Sequence, residues 1–585
     1  MINGLVHYSK RQRLEILRSQ LENERNSFKS HWRQLNDYIL PRRGRFFVQD
    51  NNKGDRRNLN IIDSTGTMAA RTLRSGMMSG VTSPARPWFR LTTPDPDLAE
   101  FEHVKSWLHD TSNRMATVFL RSNLYNVLPI IYGDMGTFAT ASMFMEEDFT
   151  GDVVRFYPFP IGSYMIATNE KLRVDTFMRE FRMSVKQIVE RFVRDPVTMK
   201  FNWDNVSSHV HYLWENKQTE AWIDVVHCVM PNENYDPNKI EAKFKKYVSV
   251  YYERGASSAS GQGLYFVGGI DSEKVLSESG YDFFPALCPR WEVSGEDIYG
   301  TDCPGMVALG DIKQLQVGEK MSAEAITKMV RPPMIGPTAL RNAKASILPG
   351  DITYLDEREG LQGFRSAHDV NFNVQAVEAK QEQVRQRIER AYYADLFLML
   401  ANSDRRQITA TEIEERHEEK LLALGPVLEQ LNQDLLDPLI DNTFEIMVRQ
   451  GLIAEPPEEL QGEKLKVEYI SIMAQAQKLV GLGGIERFTS YVANVAAANP
   501  EVLDKINTDQ LIDVYGDLTS IPPGIVRSDE DAAGIRQQRA QAAQAQQQMM
   551  TISEGAKAAK DLSQAEMSGD NALARMLGVP GGGAA

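Results

Sequence analysis

Cysteine is scarce: Cys228, Cys288 and Cys303 are the only three in 585 residues. An odd number without CxxC spacing excludes a disulfide framework and a cysteine-ligated zinc site, and fits thiols kept reduced in a cytoplasm. Long apolar runs are missing too. None approaches the roughly 18 residues needed to span a bilayer, and the opening MINGLVHYSKRQR lacks the apolar segment of a signal peptide, so the chain reads as neither secreted nor membrane-embedded. Positive charge is in deficit, with 65 Lys and Arg against 79 Asp and Glu and a net charge of -14. Phosphate affinity comes from cations that release counterions. A general nucleic-acid binder is therefore disfavoured, and a DNA partner should slide rather than stick.

Catalytic signatures fail at the residue that would carry the chemistry. Residues 295–302, GEDIYGTD, have the glycine spacing of a phosphate-binding loop, yet Thr301 and Asp302 stand where the lysine and hydroxyl should be. The GLGG of 481–484 places Glu486 at the third glycine of a dinucleotide fingerprint and reads as a helix-to-helix turn. His417-Glu418 opens like a zincin helix, but Leu421 replaces the second histidine. His209 and His211 would share one side of a strand and with His227 form a metal clamp, against the simpler reading of a half-exposed sheet face. There is no GxSxG elbow. No catalytic residue, cofactor or metal site is expected, and the chain does not read as an enzyme. An ATP-driven motor enzyme in particular needs a Walker lysine that is lacking.

What is present is an ordinary soluble composition, 42% apolar and 25% charged, and a clear change of period along the chain. Leu14, Leu17, Leu21, Phe28, Trp32, Leu35 and Ile39 recur at helical spacing until Pro41. The basic stretch Arg42, Arg43, Arg45, Lys53, Arg56 and Arg57 reads as a loop, either a solvated charge run or a phosphate contact. Cap chemistry at Asp63 to Thr67 predicts a helix to about Gly80, followed by a short strand in SPARPWFRL and a third helix to about Arg121. Between Val153 and Val267 the period becomes two: VVRFYPF, GSYMIAT, VDTFMREFRM, HVHYLW, DVVHCVM and KYVSVYYER read as strands, with SVKQIVERF a short helix and KYVSVYYER pairing with LYFVGG across a glycine-serine loop. Helices then dominate. One runs from Pro304 to the Arg331-Pro332-Pro333 break, a strand-bearing insert follows, and a second spans Phe372 to Ala401. A third, capped by Thr409 or Thr411, reaches Gly451 with a kink at Gly425-Pro426. Short helices fill 456–520, and an Ala/Gln-rich helix starts after Ser528. The fold class is α+β, predominantly helical.

Six separated pieces, in order, resemble the portal (head-to-tail connector) family of short-tailed, podovirus-type bacteriophages. They are WRQLNDYILPRRGRF, GTMAARTLRSGMMSGVTSPARPWFRL, SYMIATNEKLRVDTFMREFRMSVKQIVERF, PRWEVSGEDIYGTDCPG with ALGDIKQLQ, TATEIEERHEEKLLALGPVLEQL, and IPPGIVRSDEDAAGIRQQRAQ. The resemblance implies a portal fold with wing, stem, clip and crown regions assembled as a ring. The wing would be 1–303, the stem helices 304–330 and 372–401, the clip 331–369 and the tunnel loop 402–408. A helix over 409–455 would connect wing and crown, the crown would span 456–520, and 521–585 would form a barrel helix and tail.

By the same resemblance the chain would be a homo-oligomer, a dodecamer at one capsid vertex of the virion. Double-stranded DNA would pass without sequence specificity. Terminase would dock during packaging, followed by tail adaptor and nozzle proteins, with major capsid and scaffolding proteins around the ring. Arg405 and Arg406 would be tunnel-loop cations touching DNA, or else helix-end charges paired with Asp404 or Glu412. Arg341, Lys344, Arg358 and Glu359 would face adaptor or terminase from the clip, or be solvated charges. The alternative is an internal scaffolding or ejection protein, which would need long repeats or a membrane-active helix.

Overall fold

A computed structural model of the chain describes residues 9–48, 54–95, 101–149, 151–195, 197–254, 273–335, 365–366, 373–402, 424–460, 465–471, 482–498 and 529–564, with single positions at 98, 505, 507–508, 510–512 and 515. Two compact units are present, Met1–Val480 and Gly481–Ala585. The first begins with α1 (Lys10–Tyr38), α2 (Thr65–Gly80), β1 (Phe89–Thr92), α3 (Glu102–Arg121) and α4 (Leu124–Phe138). Next come β2 (Ser142–Asp148), β3 (Val153–Phe159), β4 (Tyr164–Thr168), β5 (Val174–Ser184), α5 (Val185–Ile188, continued as the π turn Val189–Val193) and α6 (Ser208–Glu215). Then follow β6 (Trp222–Pro231), β7 (Tyr247–Glu253), β8 (Ser277–Tyr281), β9 (Ala286–Leu287), α7 (Pro304–Val330), β10 (Met334–Ile335) and β11 (Arg365–Ser366). The unit ends with α8 (Val374–Ala391), α9 (Ala394–Asn402), α10 (Asp437–Arg449) and β12 (Lys466–Tyr469). The second unit holds α11 (Leu482–Ala498) and α12 (Asp529–Gln564). The mixture is α+β, as expected.

The antiparallel sheet β4-β5-β6-β7-β8 explains the period of two. Successive side chains point to opposite faces, so Met178, Val226, Cys228, Val250 and Tyr252 meet Leu14 and Leu21 of α1 on one side. On the other, Ile223, Val225 and Tyr251 close a second cluster with Val185, Ile188, Val210 and Leu213. The capping box between Ser9 and Gln12 starts α1 by satisfying backbone donors from both ends. Buried Glu180 anchors the helix to the sheet, accepting from Arg18 at 2.9 Å and from Arg254 at 3.0 Å.

HVHYLW is a helix, not a strand. Ser207 caps it by accepting from the Val210 N–H at 3.3 Å, and Val210 and Leu213 point inward one turn apart. The strand that follows β7 in the sheet is Ser277–Tyr281, while LYFVGG lies outside the described residues. Nor is GLGG a clean turn, since α11 already begins at Leu482 and contains Gly483 and Gly484.

The largest core lies around α4, whose last eleven residues, Leu128 to Phe138, are all buried except Pro129 and Ile130. Asp134 sits at its centre. Burial pushes its carboxyl pKa up, and the Arg43 guanidinium paired with it works against that shift. Strand β1 pairs antiparallel with β12, joining Phe89 to Tyr469 across the chain and fixing 466–469 in the first unit.

Candidate functional site

The sequence places its functional loops at the ends of helices α7, α8 and α9, so these helices define the site. Pro304 opens α7 at a position where no intrahelical N–H is needed. The first half of α7 buries Ala308, Leu309, Ile312 and Leu315. Ile312 fills the space that a side chain at Gly66 would occupy, 2.7 Å from a Cβ there. The second half leaves the body, with Met321, Ile326, Met329 and Val330 exposed.

Helix α8 returns antiparallel beside it. Gln381 donates to Ser322 at 3.0 Å, Arg385 pairs with Glu319 at 2.5 Å and Arg387 with Asp311 at 2.8 Å. A polar junction ties this pair to the body. The Gln316 side chain accepts from the Ile62 N–H at 2.6 Å and the Asp63 N–H at 2.8 Å, and donates to the Asp63 carbonyl at 2.9 Å. Arg385 also donates to the Asp63 carboxylate at 3.0 Å. Burial alone would raise the Asp63 pKa, but bonds from Thr65 and Arg385 outweigh it and hold the carboxyl below its ordinary value.

At the far end of the pair, β10 and β11 form a two-residue antiparallel ladder, Met334 opposite Ser366 and Ile335 opposite Arg365. Arg341, Lys344, Arg358 and Glu359 fall between these strands, outside the described residues. Arg405, Arg406 and His417 also lie outside them, between α9 and the helical run that begins at 424.

The frame around that interval is well defined. The single helix expected from Phe372 to Ala401 is two: α8 stops at Ala391, Tyr393 takes φ 53, and α9 restarts at Ala394. Tyr392 is fully buried and locks the break. In α9, Phe397 lies against α2 at Gly76, where a Cβ would sit 2.1 Å from the ring. On the other side the chain is helical over 424–431 and passes through a π turn, Asn432–Leu436, into α10. The kink expected at Gly425-Pro426 involves the segment before 424, which lies outside the described residues. The π turn itself precedes Pro438, which has no N–H to offer the carbonyl a turn earlier. Within the π turn, Asp434 pairs with Arg290 at 3.0 Å, both buried, and takes a 2.8 Å bond from Gln430. Arg290 donates further to the Leu172 carbonyl at 2.9 Å.

The weaker chemical candidates separate. His209 and His211 sit on helix α6, where a two-residue step turns them apart, and His211 stacks on Trp203 at 4.2 Å. His227 is buried in the sheet against Tyr251, and burial with Arg179 and Arg191 holds its pKa well below the ordinary value. In 295–302, Tyr299 is a core side chain and the Gly300 N–H donates to Thr140 at 2.8 Å. Among the described residues no group of three His, Cys, Asp or Glu is placed to hold a metal, and no helix is long and apolar enough to cross a membrane.

The junction of Asp63, Gln316 and Arg385 carries no local signal in the sequence, because its members are 253 and 322 residues apart. Its Asp63 was legible only as a helix-start residue.

Comparison with known proteins decides what the frame serves. Residues 11–526 match the family model described as bacteriophage head to tail connecting protein. The chain belongs to this family. It is 46% identical over 573 residues to the portal protein of Salmonella phage epsilon15, covering 98% of this chain and 99% of that protein. It is 43% identical over 554 residues to the probable portal protein of Bordetella phage BPP-1, covering 95% of each. A connector of the head-tail junction is thus the function the chain shares with its relatives, and an internal scaffolding or ejection role is not favoured.

Proposed function

We propose that this connector works as a closed ring at one capsid vertex, a dodecamer by the family resemblance, with α7 and α8 as stem. The tunnel loop would project into a channel that passes double-stranded DNA. The observation that supports the ring is the outer face of α7: Val307, Val317 and Met321 are 63%, 53% and 64% exposed, although the opposite face of the helix is in the core. An apolar stripe of this kind on a rigid helix calls for a partner, and head-to-tail contacts between identical chains close into rings. The net charge of -14 supports a conduit, since a mainly acidic wall gives DNA phosphates no lasting hold.

In this reading Arg405 and Arg406 meet the duplex backbone, while Arg341, Lys344, Arg358 and Glu359 present the clip to terminase and then to adaptor and nozzle proteins. Capsid and scaffolding proteins would surround the wing. Negative-stain images of the purified protein should show rings with a central hole, and a stable monomer would sink the proposal. Arg405→Ala with Arg406→Ala should preserve those rings and reduce packaged genome per particle, read by DNA quantification. Unchanged genome content removes the two arginines from the channel.

A further inference from the structure

The last half of α1 and the loop after it form a cationic face. Residues 25–50 contain six Lys and Arg against two Asp, within a chain of net charge -14. The structure sorts these cations by partner. Arg43 is neutralised by Asp134, and Arg25 is buried with its Nη1 donating to the Gly162 carbonyl at 2.9 Å. Lys29 and Arg33 are different. No ion pair forms on either among the described residues, and both lie against one aromatic ring: Lys29 Nζ is 4.9 Å and Arg33 Cζ 5.4 Å from the centroid of Phe47. Arg33 also lies 5.6 Å from Phe46, which is buried, whereas Phe47 is 62% exposed.

This platform is held in place. The Gly44 N–H donates to the Asn36 side chain at 2.8 Å, the Arg45 N–H to the Ile161 carbonyl at 2.9 Å, and a Cβ at Gly44 would sit 2.6 Å from the Phe46 ring. The local field is positive. Burial lowers the Lys29 pKa, and neighbouring Arg25 and Arg33 add to the shift while Glu22 and Glu180 offset part of it, so a polyanion would relieve the repulsion that remains.

We propose that Lys29, Arg33 and the exposed ring of Phe47 form a binding face for the sugar-phosphate backbone of double-stranded DNA, separate from the tunnel loop. Four residues of helix separate the two cations by about 6 Å of rise, which lets them engage neighbouring phosphates while Phe47 seats a sugar between them. Nothing in the set reads base edges, so binding is independent of sequence. A polyanion fits better than an acidic protein surface. Exposed ion pairs with single carboxylates contribute little, whereas each neutralised phosphate also releases condensed counterions.

The test is a salt titration of full-length assembled protein with a labelled mixed-sequence DNA duplex, read by fluorescence anisotropy. In Lys29→Glu/Arg33→Glu the slope of log affinity against log salt should become shallower by about 2, with binding at low salt weaker by about tenfold or more. The milder Lys29→Gln/Arg33→Gln, with an unchanged circular dichroism spectrum, should give the same direction, and Phe47→Ala a smaller loss. Combining the charge reversal with Arg405→Ala/Arg406→Ala should leave its effect intact if the two DNA contacts are separate. An unchanged slope in both charge variants, no duplex binding by the unaltered protein, or a coincident loss of oligomeric mass would overturn the proposal, the last by making this face a protein contact. A particle that is not a ring would sink the portal arrangement without touching this measurement.

Discussion

At the scale of single residues, the pair Arg290–Asp434 sets how firmly the helical run from 424 onward is fixed to the body. Its side chains are 3% and 8% exposed, so both charges have left water and depend on each other and on Leu172 and Gln430. Removing one partner strands the other in a medium that cannot solvate it. Asp434→Ala should therefore lower the unfolding free energy by about 3–5 kcal/mol, whereas Arg290→Met with Asp434→Leu should recover most of that loss. Denaturant midpoints of the single and double variants decide this. Equal losses would show that the cost comes from packing and not from the stranded charge. The junction at Asp63 differs in kind: Arg385 is partly exposed and shares its guanidinium among Asp63, Glu319 and Glu382, so it positions the α7–α8 pair more than it stabilises the body.

At the scale of elements, the contact between α2 and α9 fixes the last described helix before residue 403 against the body. Gly76 lets the Phe397 ring approach closer than any side chain would allow, and a methyl group there forces the ring or the helix aside. Gly76→Ala should cost about 1–3 kcal/mol through overpacking, and Phe397→Leu in the same chain should return part of it by vacating space. A thermal midpoint for Gly76→Ala equal to that of the parent would remove this contact from the frame. Helix α1, with one apolar stripe ending before Pro41, and α7, bounded by Pro304 and the Arg331-Pro332-Pro333 break, were legible from periodicity and proline. Helix α4 was not. Most of its surface is buried, including polar Asp134 and Thr137, so polarity along it does not mark an exposed face. HVHYLW alternated like a strand, but the Ser207 cap and an inward pair one turn apart decided for a helix. The break at Tyr392-Tyr393 was hidden because Tyr392 fits the helical stripe, and only its tertiary burial places it. Strand β12 is four residues long and its partner lies more than 370 residues earlier, beyond any local signal.

At the scale of the whole molecule, the family was legible because six pieces of distinctive wording keep their order, and the match over residues 11–526 confirms it. The channel-facing side chains were less legible, since a position in a pore is a property of neighbouring chains and not of a local motif. In the proposed ring, helix α7 is where one chain would record its neighbours. Exposed Val307, Val317 and Met321 and solvent-facing Gly310 fall at steps of three, seven and four residues, which keeps them on one narrow stripe. The same helix buries Leu309, Ile312 and Leu315 on its other side, so the stripe is not needed to hold the subunit together. These two faces separate assembly from folding. Val317→Glu with Met321→Glu should convert rings into free subunits, because a charge in an apolar seam must stay hydrated, yet it should leave the circular dichroism spectrum of the subunit unchanged. Sedimentation velocity at matched concentration measures the outcome. Rings that persist with both glutamates in place would move the subunit contact off this face, and a variant that also unfolds would show that the stripe belongs to the subunit's own core.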